Sequence, residues 1–233
     1  MELYYSPELL ECTEFSLPDE EAQHAFRTRR LPVGGRIDVT NGAGLRLEAE
    51  IMNNQPKSNR LKTLSSIQLE KAFPEIHVWV APLKQEARFE WIIEKAVELG
   101  ISEIHPILTK RTEKIHLRIN RLERIAIAAM KQSLKFYLPR IVEPVSFDKL
   151  WPLKGKVLFA HCMEGVKEAI RPELCDAEVY HVFIGPEGDF HPDELKEAQK
   201  YGVTEISLGN SRLRTETAAI TALVQLHHSI LIK

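Results

Sequence analysis

Two short stretches, "IGPEGDF" at residues 184–190 and "LGNSRLRTETAAITAL" at residues 208–223, decide how this sequence folds. Each begins where an apolar, strand-like segment ends, and each leads into a helical pattern. Their glycines, Gly185, Gly188 and Gly209, allow the main chain to approach a ligand closely. Taken alone, the first stretch is typical of a tight turn that leads into a helix. Ligands of open α/β sheets bind beyond the carboxyl ends of the strands, so the two turns together predict the walls of one cleft.

The chain around these turns alternates between strand-like and helical patterns from residue 76 onward. The strand-like segments are "IHVWVAPL", "EIHPIL", "KVLFAH", "VYHVFIG" and "TEISL", and the helical segments are "EARFEWIIEKAVELG", "NRLERIAIAAMKQSLKFY", "HPDELKEAQKYG" and "TETAAITALVQLHHSIL". This alternation predicts an α/β fold with a mostly parallel sheet and helices on its faces. No segment approaches the run of about 18 apolar residues that a membrane span needs, so no membrane association is expected.

The residues before Ala72 are mostly of β character. The segments "RIDVT" and "LRLEAEI" alternate apolar and polar side chains, and Asn41-Gly42-Ala43-Gly44 joins them with residues typical of a hairpin turn. A small all-β segment of this size predicts a barrel. We therefore expect two domains, a small N-terminal barrel in residues 1–72 and an α/β domain in residues 73–233.

Composition limits the class of protein. The 233 residues are 44% hydrophobic and 27% charged, as in ordinary soluble globular proteins. There is no signal peptide pattern, and three cysteines without C-x-x-C spacing favour a reducing cytoplasm over a disulfide framework. The nine histidines do not occur at metal-ligand spacing, so no metal is expected. Within residues 110–140, nine basic residues accompany two acidic ones, which fits either a polyanionic partner or an ordinary solvated helix.

The common nucleotide and hydrolase motifs are missing from this sequence. It contains no G-x-x-x-x-G-K-[ST], no G-x-G-x-x-G and no G-x-S-x-G. These absences argue against a P-loop NTPase, an ordinary dinucleotide-binding or Rossmann-type methyltransferase loop, and an α/β-hydrolase. The strand-end turns therefore predict a site for a ligand without phosphates.

The two opening stretches resemble the C-terminal signature of the ribosomal RNA uracil-N3 methyltransferases, the RsmE family of the SPOUT superfamily. The likeness extends to "HAFRTRRLPVGG" at 24–35, "EKAVELGISEIHPILTKRT" at 94–112 and "KQSLKFYLPRI" at 131–141. In the last segment Lys135 stands where arginine is usual in the family. This departure keeps the charge but loses the planar fork of a guanidinium.

The resemblance implies a PUA-like, RNA-binding barrel at the N-terminus and a SPOUT methyltransferase domain tied in a C-terminal trefoil knot. It further implies S-adenosylmethionine as cofactor, a cytoplasmic homodimer, and methylation of N3 of a specific uridine in 16S ribosomal RNA of the small subunit during ribosome biogenesis. The expected cofactor-binding residues are Ala160, His161, Ile184, Gly185, Pro186, Gly188, Leu208, Gly209, Asn210, Ser211, Leu213 and Thr217. The expected RNA-binding residues are Arg27, Arg29, Arg30, Arg111, Arg121, Arg124, Lys131 and Lys135.

Two residues of the second stretch are candidates for catalysis. Uracil N3 is mostly protonated at neutral pH, and its anion spreads charge onto O2 and O4, which a guanidinium can stabilise. Arg214, next to the cofactor loop, is our candidate for this role, although it could instead form a salt bridge to Glu216 or a neighbouring helix. Glu216 is a candidate general base, or a first-turn carboxylate favoured by the helix dipole. Arg212 is expected at a dimer or RNA contact.

Alternatives remain at this stage. The chain could be a non-catalytic RNA-binding or ribosome-assembly factor that keeps a cofactor fold, although the intact "LGNSRLRTETA" argues against this. It could also be a SPOUT methyltransferase for another RNA position. Asp189 and Glu187, beside the first turn, could lie near a cationic sulfonium or cap the following helix.

Overall fold

The computed structural model describes residues 2–113 and 116–233 and divides the chain into two compact units. The first unit contains Met1–Lys71 together with Ile127–Leu138. The second contains Ala72–Ala126 together with Pro139–Lys233. One helix, α3 (Ile119–Gln132), contributes residues to both units, and each unit is therefore described separately.

The first unit is built on a five-stranded mixed sheet. Its strands are β1 (Leu3–Tyr5), β2 (Glu14–Phe15), β3 (Arg36–Thr40), β4 (Leu45–Asn53) and β5 (Arg60–Gln68). They pair in the order β1-β3-β4-β5-β2, parallel between β1 and β3 and antiparallel elsewhere. The strands β1 and β2 form the two edges of the sheet, and among the described residues they do not pair with each other. These pairings therefore give an open sheet and not the expected closed barrel.

Alternation along the strands places the core of this unit on one side of the sheet. In β4 the buried residues Leu45, Leu47, Ala49 and Ile51 alternate with half-buried polar ones, as a one-sided strand requires. At the predicted hairpin, Asn41 Oδ1 accepts a hydrogen bond from Ala43 N at 2.8 Å and fixes the turn. The helix α1 (Asp19–Gln23) and the π-helical turn His24–Thr28 that continues it supply Ala22, Ala25 and Phe26 to the same core.

The second unit contains an eight-stranded sheet in which every described pairing is parallel. Its strands are β6 (Glu75–Val80), β7 (Glu103–Leu108), β8 (Arg140–Ile141), β9 (Val145–Ser146), β10 (Lys156–Ala160), β11 (Glu168–Ala169), β12 (Val179–Ile184) and β13 (Thr204–Ser207). The order is β11-β13-β10-β12-β6-β7-β8, and β9 also pairs with β7. This sheet confirms the predicted α/β fold with mostly parallel strands.

Helices lie against this sheet. They are α2 (Glu86–Leu99), α4 (Pro192–Gln199) and α5 (Thr215–Leu231), with single 3-10 turns at Pro56–Ser58, Phe147–Lys149 and Pro172–Leu174 elsewhere in the chain. The α4 residues Leu195 and Ala198 pack with Phe159 and Phe183 in a buried aromatic cluster on one face. The helices α2 and α5 contact each other, and α5 also contacts β12.

The helices α2 and α3 are each followed by a residue in the left-handed conformation. As predicted, α2 ends at Gly100, which adopts the left-handed conformation at φ 80°. The sequence pattern extended α3 to Tyr137, and this was wrong, because the helix ends at Gln132 and Leu134 turns the chain at φ 53°. Among the described residues no helix is long and apolar enough to cross a membrane.

Candidate functional site

A cavity of about 590 Å³ lies beyond the carboxyl ends of β10, β12 and β13 in the second unit. These neighbouring parallel strands bring their C-terminal loops to one edge of the sheet. The cavity is lined by Arg111, Ala160, His161, Cys162, Met163, Lys167, Ile184, Gly185, Pro186, Glu187, Gly188, Asp189, Ile206, Ser207, Leu208, Gly209, Asn210, Ser211, Arg212, Leu213, Thr215 and Ala218. Its volume suits a ligand of cofactor size.

The expected cofactor-binding residues are brought together here with one exception. All of them line the cavity except Thr217, which is exposed in the first turn of α5. The two glycine turns therefore form walls of the same cavity, although they are separated in the chain by α4 and β13.

The turn after β12 is held in shape by packing and by a carboxylate. A Cβ atom built on Gly185 would lie 3.0 Å from a ring carbon of Phe190 and 3.2 Å from its main-chain nitrogen, so a side chain has no room there. Asp189 adopts the left-handed conformation at φ 64°, which aspartate tolerates better than most residues. Its carboxylate accepts hydrogen bonds from Phe190 N at 2.8 Å and from Cys162 N at 2.9 Å, and thereby ties two of the loops together.

The loop after β7 braces this turn from the side. Arg111 Nη1 donates to the carbonyl oxygens of Gly188 at 2.7 Å and Phe190 at 3.2 Å. The neighbouring Lys110 donates its main-chain N–H to Glu194 and its ammonium to Asp193, both in the first turn of α4. Arg111, which the sequence assigned to RNA, thus holds the main chain of the cavity wall.

The loop between β13 and α5 leaves main-chain donors unused. The N–H groups of residues 210–213 make no hydrogen bond to other described residues. Gly209 has a φ of 126°, which favours glycine, and no atom lies within 4 Å of the position that its Cβ would take. This stretch therefore presents free N–H groups to the cavity, where a ligand with acceptor atoms can bind them.

A buried histidine–glutamate pair supports the floor of the cavity. The His161 side chain is fully buried, and its Nε2 lies 2.8 Å from Glu205 Oε2 in β13. His161 Nδ1 is buried without a partner among the described residues. Hydrogen bonds from Gln199 and His161 hold the pKa of Glu205 below its ordinary value, although burial acts in the opposite direction.

The candidate catalytic residues occupy the start of α5. Arg214 is the N-cap residue of the helix and is exposed, and its side chain has no hydrogen bond or ion pair with another described residue. Arg212 is also exposed and lines the cavity. Glu216 lies 3.7 Å from Arg88 Nε of α2, so this carboxylate pairs with a different helix and not with Arg214.

The expected RNA-binding residues fall into two groups. Arg29 pairs with Glu2, Arg121 with Glu90, and Lys131 with Glu21, while Arg111 contacts the cavity wall. The side chains of Arg27, Arg30, Arg124 and Lys135 have no hydrogen bond or ion pair with other residues of the described chain. The second group keeps its positive charge available for a partner.

Sequence reasoning missed several lining residues. Cys162 and Met163 continue directly from Ala160 and His161, so the strand-end rule could have included them. Lys167 lies in the long connection from β10 to β12, where no sequence pattern marks a ligand contact.

Comparison with known proteins identifies the family. Residues 70–227 match the model of the RNA methyltransferase domain. The ribosomal RNA small subunit methyltransferase E of Rickettsia conorii is 31% identical over 96% of this chain and 93% of its own length. A probable rRNA-methyltransferase from Porphyromonas gingivalis superposes with a TM-score of 0.87 at 35% identity, covering 100% of this chain and 99% of that one.

A second similar structure was solved with a bound cofactor. This Legionella pneumophila protein, solved in complex with the bound cofactor SAM, superposes with a TM-score of 0.83 at 26% identity and covers 97% of this chain and 96% of its own. With the family model spanning most of the chain and a curated relative matching nearly all of it, the protein belongs to the ribosomal RNA small subunit methyltransferase E family.

Proposed function

We propose that this chain transfers a methyl group from S-adenosylmethionine to N3 of a specific uridine in 16S ribosomal RNA. The observation that carries the proposal is the cavity at the ends of β10, β12 and β13, together with the family membership. The alternative of a non-catalytic assembly factor is not favoured, since the curated relatives are methyltransferases.

The cavity fits the cofactor by its own chemistry. S-adenosylmethionine has an adenine, a ribose and a charged amino-acid end, and it supplies an activated methyl group on a cationic sulfonium. The free N–H groups of residues 210–213 suit the acceptor atoms of such a ligand, and apolar Leu208 and Leu213 suit its adenine. Asp189 adds a carboxylate to the lining that would favour a cation.

The residues at the start of α5 are suited to uracil. A base to be methylated at N3 must be unpaired or extruded, because N3 lies in its Watson–Crick edge. We assign Arg214 to stabilise the negative charge that develops on O2 and O4 when N3 loses its proton. Its exposed guanidinium has no competing partner among the described residues, so its donors remain available.

Glu216 is better placed as a structural residue than as a base. Its carboxylate pairs with Arg88, and it lies in the first turn of α5, where the helix dipole favours negative charge.

The experiment that tests the proposal maps modified nucleosides in ribosomal RNA from cells with and without this protein. One 3-methyluridine in 16S ribosomal RNA should disappear with the gene, and the purified chain should restore it on naked RNA or on small subunits. Loss of a different modification would instead support a methyltransferase for another position, and no loss at all would reject the proposed activity.

The finer features of the fold are proposals as well. We propose that the C-terminal part of the chain is knotted. The strand β13 lies between β10 and β11 and pairs with both. In the chain, β10 and β11 belong to the segment that precedes β12, so the later strand β13 lies between two parts of an earlier segment. Two hydrogen bonds support this threading, from Ser229 Oγ to Ile170 O and from Lys233 Nζ to Cys175 O. They bring the last helix and Lys233, which follows it, against the same connection.

Domain roles and assembly complete the proposal. We assign residues 1–72 to a PUA-like RNA-binding domain and residues 73–233 to the SPOUT domain of a cytoplasmic homodimer. The exposed apolar residues Trp91 on α2 and Val224 and Leu231 on α5 support the dimer, since a second copy would cover them. Light scattering that reports a monomer at micromolar concentration would reject that assembly.

A further inference from the structure

Two histidines and a glutamate form a cluster at the amino-terminal end of the parallel sheet, at the opposite ends of the strands from the cofactor cavity. His77 lies on β6, and Glu103 and His105 lie on β7. The two strands are adjacent and parallel, with His77 in register with Glu103. Because side chains two residues apart share a face of a strand, the three side chains project from one face.

The three side chains are close enough to share one metal ion after small shifts. One nitrogen or oxygen atom from each lies within 4.8 Å of the others. Glu103 Oε2 is 2.7 Å from His105 Nε2 and 3.7 Å from His77 Nδ1. Ligand atoms around a tetrahedral zinc ion, with bonds of about 2.0 to 2.2 Å, are about 3.3 Å apart, so shifts of less than about 1 Å would enclose a cation.

Outer partners orient two of these ligands. Arg140 donates from Nε to Glu103 Oε1 at 3.1 Å, and its Nη2 lies 3.0 Å from the same oxygen. The other carboxylate oxygen, Oε2, therefore faces the histidines. Glu75 Oε2 lies 3.3 Å from His77 Nε2 and can accept its proton, so that Nδ1 presents a lone pair towards Glu103. Carboxylate–histidine pairs of this kind orient ligands in metal sites.

The surroundings hold the cluster in place. The side chains of His77, Glu103 and His105 are 14%, 20% and 9% exposed. The Trp79 ring stacks on His105 with centroids 3.9 Å apart. His181 is close to His77, but Trp79 Nε1 and the carbonyl oxygen of Lys154 already occupy its two nitrogens, so it is not a ligand.

We propose that His77, Glu103 and His105 bind a divalent transition-metal cation of the zinc class and fasten β6 to β7 at this end of the sheet. Two imidazoles and one carboxylate are a donor set that such cations prefer. Without a cation, His77 Nδ1 faces the Glu103 carboxylate oxygen across 3.7 Å, which is beyond hydrogen-bond distance. The proposed ligands lie on two strands, so the spacing of histidines along the sequence does not indicate such a site.

To test this proposal, a chelator first removes metal from the 233-residue chain, which is then titrated with Zn²⁺ and with Co²⁺. We expect one equivalent of saturable binding, a visible Co²⁺ absorption band, and a melting temperature raised by about 5 to 10 °C at a Zn²⁺ concentration about a hundred times the Kd. His77→Gln and His105→Gln should abolish all three effects. Glu75→Gln should weaken binding by about 10- to 100-fold, as the loss of an outer partner does elsewhere.

His116→Gln is the matched control, since this exposed histidine lies outside the cluster. It should bind Zn²⁺ like the wild type. Equal binding by His105→Gln and the wild type would mean an adventitious ion only and would overturn the proposal. The wild-type titration is decisive even if a variant fails to fold, because the absence of saturable binding there would overturn the proposal.

Discussion

Gly185 shows what a single residue contributes to the cofactor turn. A Cβ atom there would lie 3.0 and 3.1 Å from the Phe190 ring, whereas at Gly188 the nearest atom would be Arg111 Cδ at 3.6 Å. We therefore expect Gly185→Ala to displace Phe190 and weaken S-adenosylmethionine binding about tenfold or more, since overpacking typically costs about 1 to 3 kcal/mol. Gly188→Ala should bind nearly as the wild type does. Calorimetry on both variants checks this, and equal affinities would contradict it.

Arg214 is tested by kinetics. If its guanidinium stabilises the uracil anion, the interaction is stronger in the transition state than in the bound substrates. Arg214→Ala should then slow single-turnover methylation by about 100- to 1000-fold with cofactor and RNA saturating, as loss of one preorganised donor does elsewhere. Arg214→Lys should recover part of the rate, because an ammonium lacks the planar fork.

Two further variants serve as controls for Arg214→Ala. Glu216→Gln should lower stability modestly and leave most of the activity, because Glu216 is paired with Arg88. Arg212→Ala removes the neighbouring arginine that lines the cavity. A near wild-type rate in Arg214→Ala, together with a large decrease in Arg212→Ala, would move the catalytic role to Arg212.

Glu205 gives a pH dependence with a definite sign. Its pKa in the folded chain is below the ordinary 4.5, chiefly because Gln199 and also His161 donate to it. A depressed carboxyl pKa adds stability above the unfolded value, and this stability is lost as the pH falls through the folded value. The melting temperature of the wild type should therefore exceed that of Glu205→Gln most at neutral pH, and the difference should shrink below about pH 4.5. A difference that stays constant from pH 7 to pH 4 would show that the charge of Glu205 contributes nothing.

At the scale of elements, the loop after β7 is expected to set the shape of the cofactor turn. Arg111→Ala removes the two hydrogen bonds to the Gly188 and Phe190 carbonyls. Hydrogen bonds to charged groups contribute about 1.5 to 3 kcal/mol, so cofactor affinity should fall by about tenfold or more. Lys110→Ala is the control, since its ammonium pairs with the exposed Asp193 and such pairs contribute little. Unchanged cofactor affinity in Arg111→Ala would return this residue to a role in RNA binding alone.

The elements also show what the sequence could predict. The strand at Glu103–Leu108 and the helix at Thr215–Leu231 have the bounds that their patterns indicated. The strand is a short, buried run of strand length, and the helix is a long apolar segment of 17 residues. The strands β2, β8, β9 and β11 have two residues each, too few for any periodicity to mark them. The end of α3 was missed because Leu134 adopts a left-handed conformation that leucine seldom takes.

The same distinction applies to the cavity. The rule that ligands bind at the carboxyl ends of parallel strands, combined with the resemblance, was enough to predict half of its lining residues as cofactor contacts, 11 of 22. The hydrogen bonds of Arg111 to the turn and the pairing of His161 with Glu205 were not predictable, because both depend on the order of strands in the sheet. That order places β13 beside β10 and is not recorded in any local pattern.

At the scale of the whole molecule, the net charge of -2 does not show which basic side chains are paired with carboxylates and which are not. In the first unit, Arg29 and Lys131 are engaged by Glu2 and Glu21, whereas Arg27 and Arg30 have no such partner among the described residues. An arginine already neutralised by a carboxylate releases fewer counterions when it meets a phosphate. The unpaired group should therefore dominate the salt dependence of RNA binding.

A matched pair of double variants separates the two groups. Arg27→Ala with Arg30→Ala should reduce the slope of log K against log salt by about 1.4, at about 0.7 for each phosphate of single-stranded RNA that the variant no longer neutralises. Arg29→Ala with Lys131→Ala should change the slope less and lower the melting temperature instead, because it breaks two ion pairs of the first unit. Cofactor affinity should be unchanged in both, since all lining residues of the cavity belong to the second unit. Filter binding of ribosomal RNA over a range of salt measures both slopes, and an unchanged slope in the first variant would assign Arg27 and Arg30 to the ordinary solvated surface.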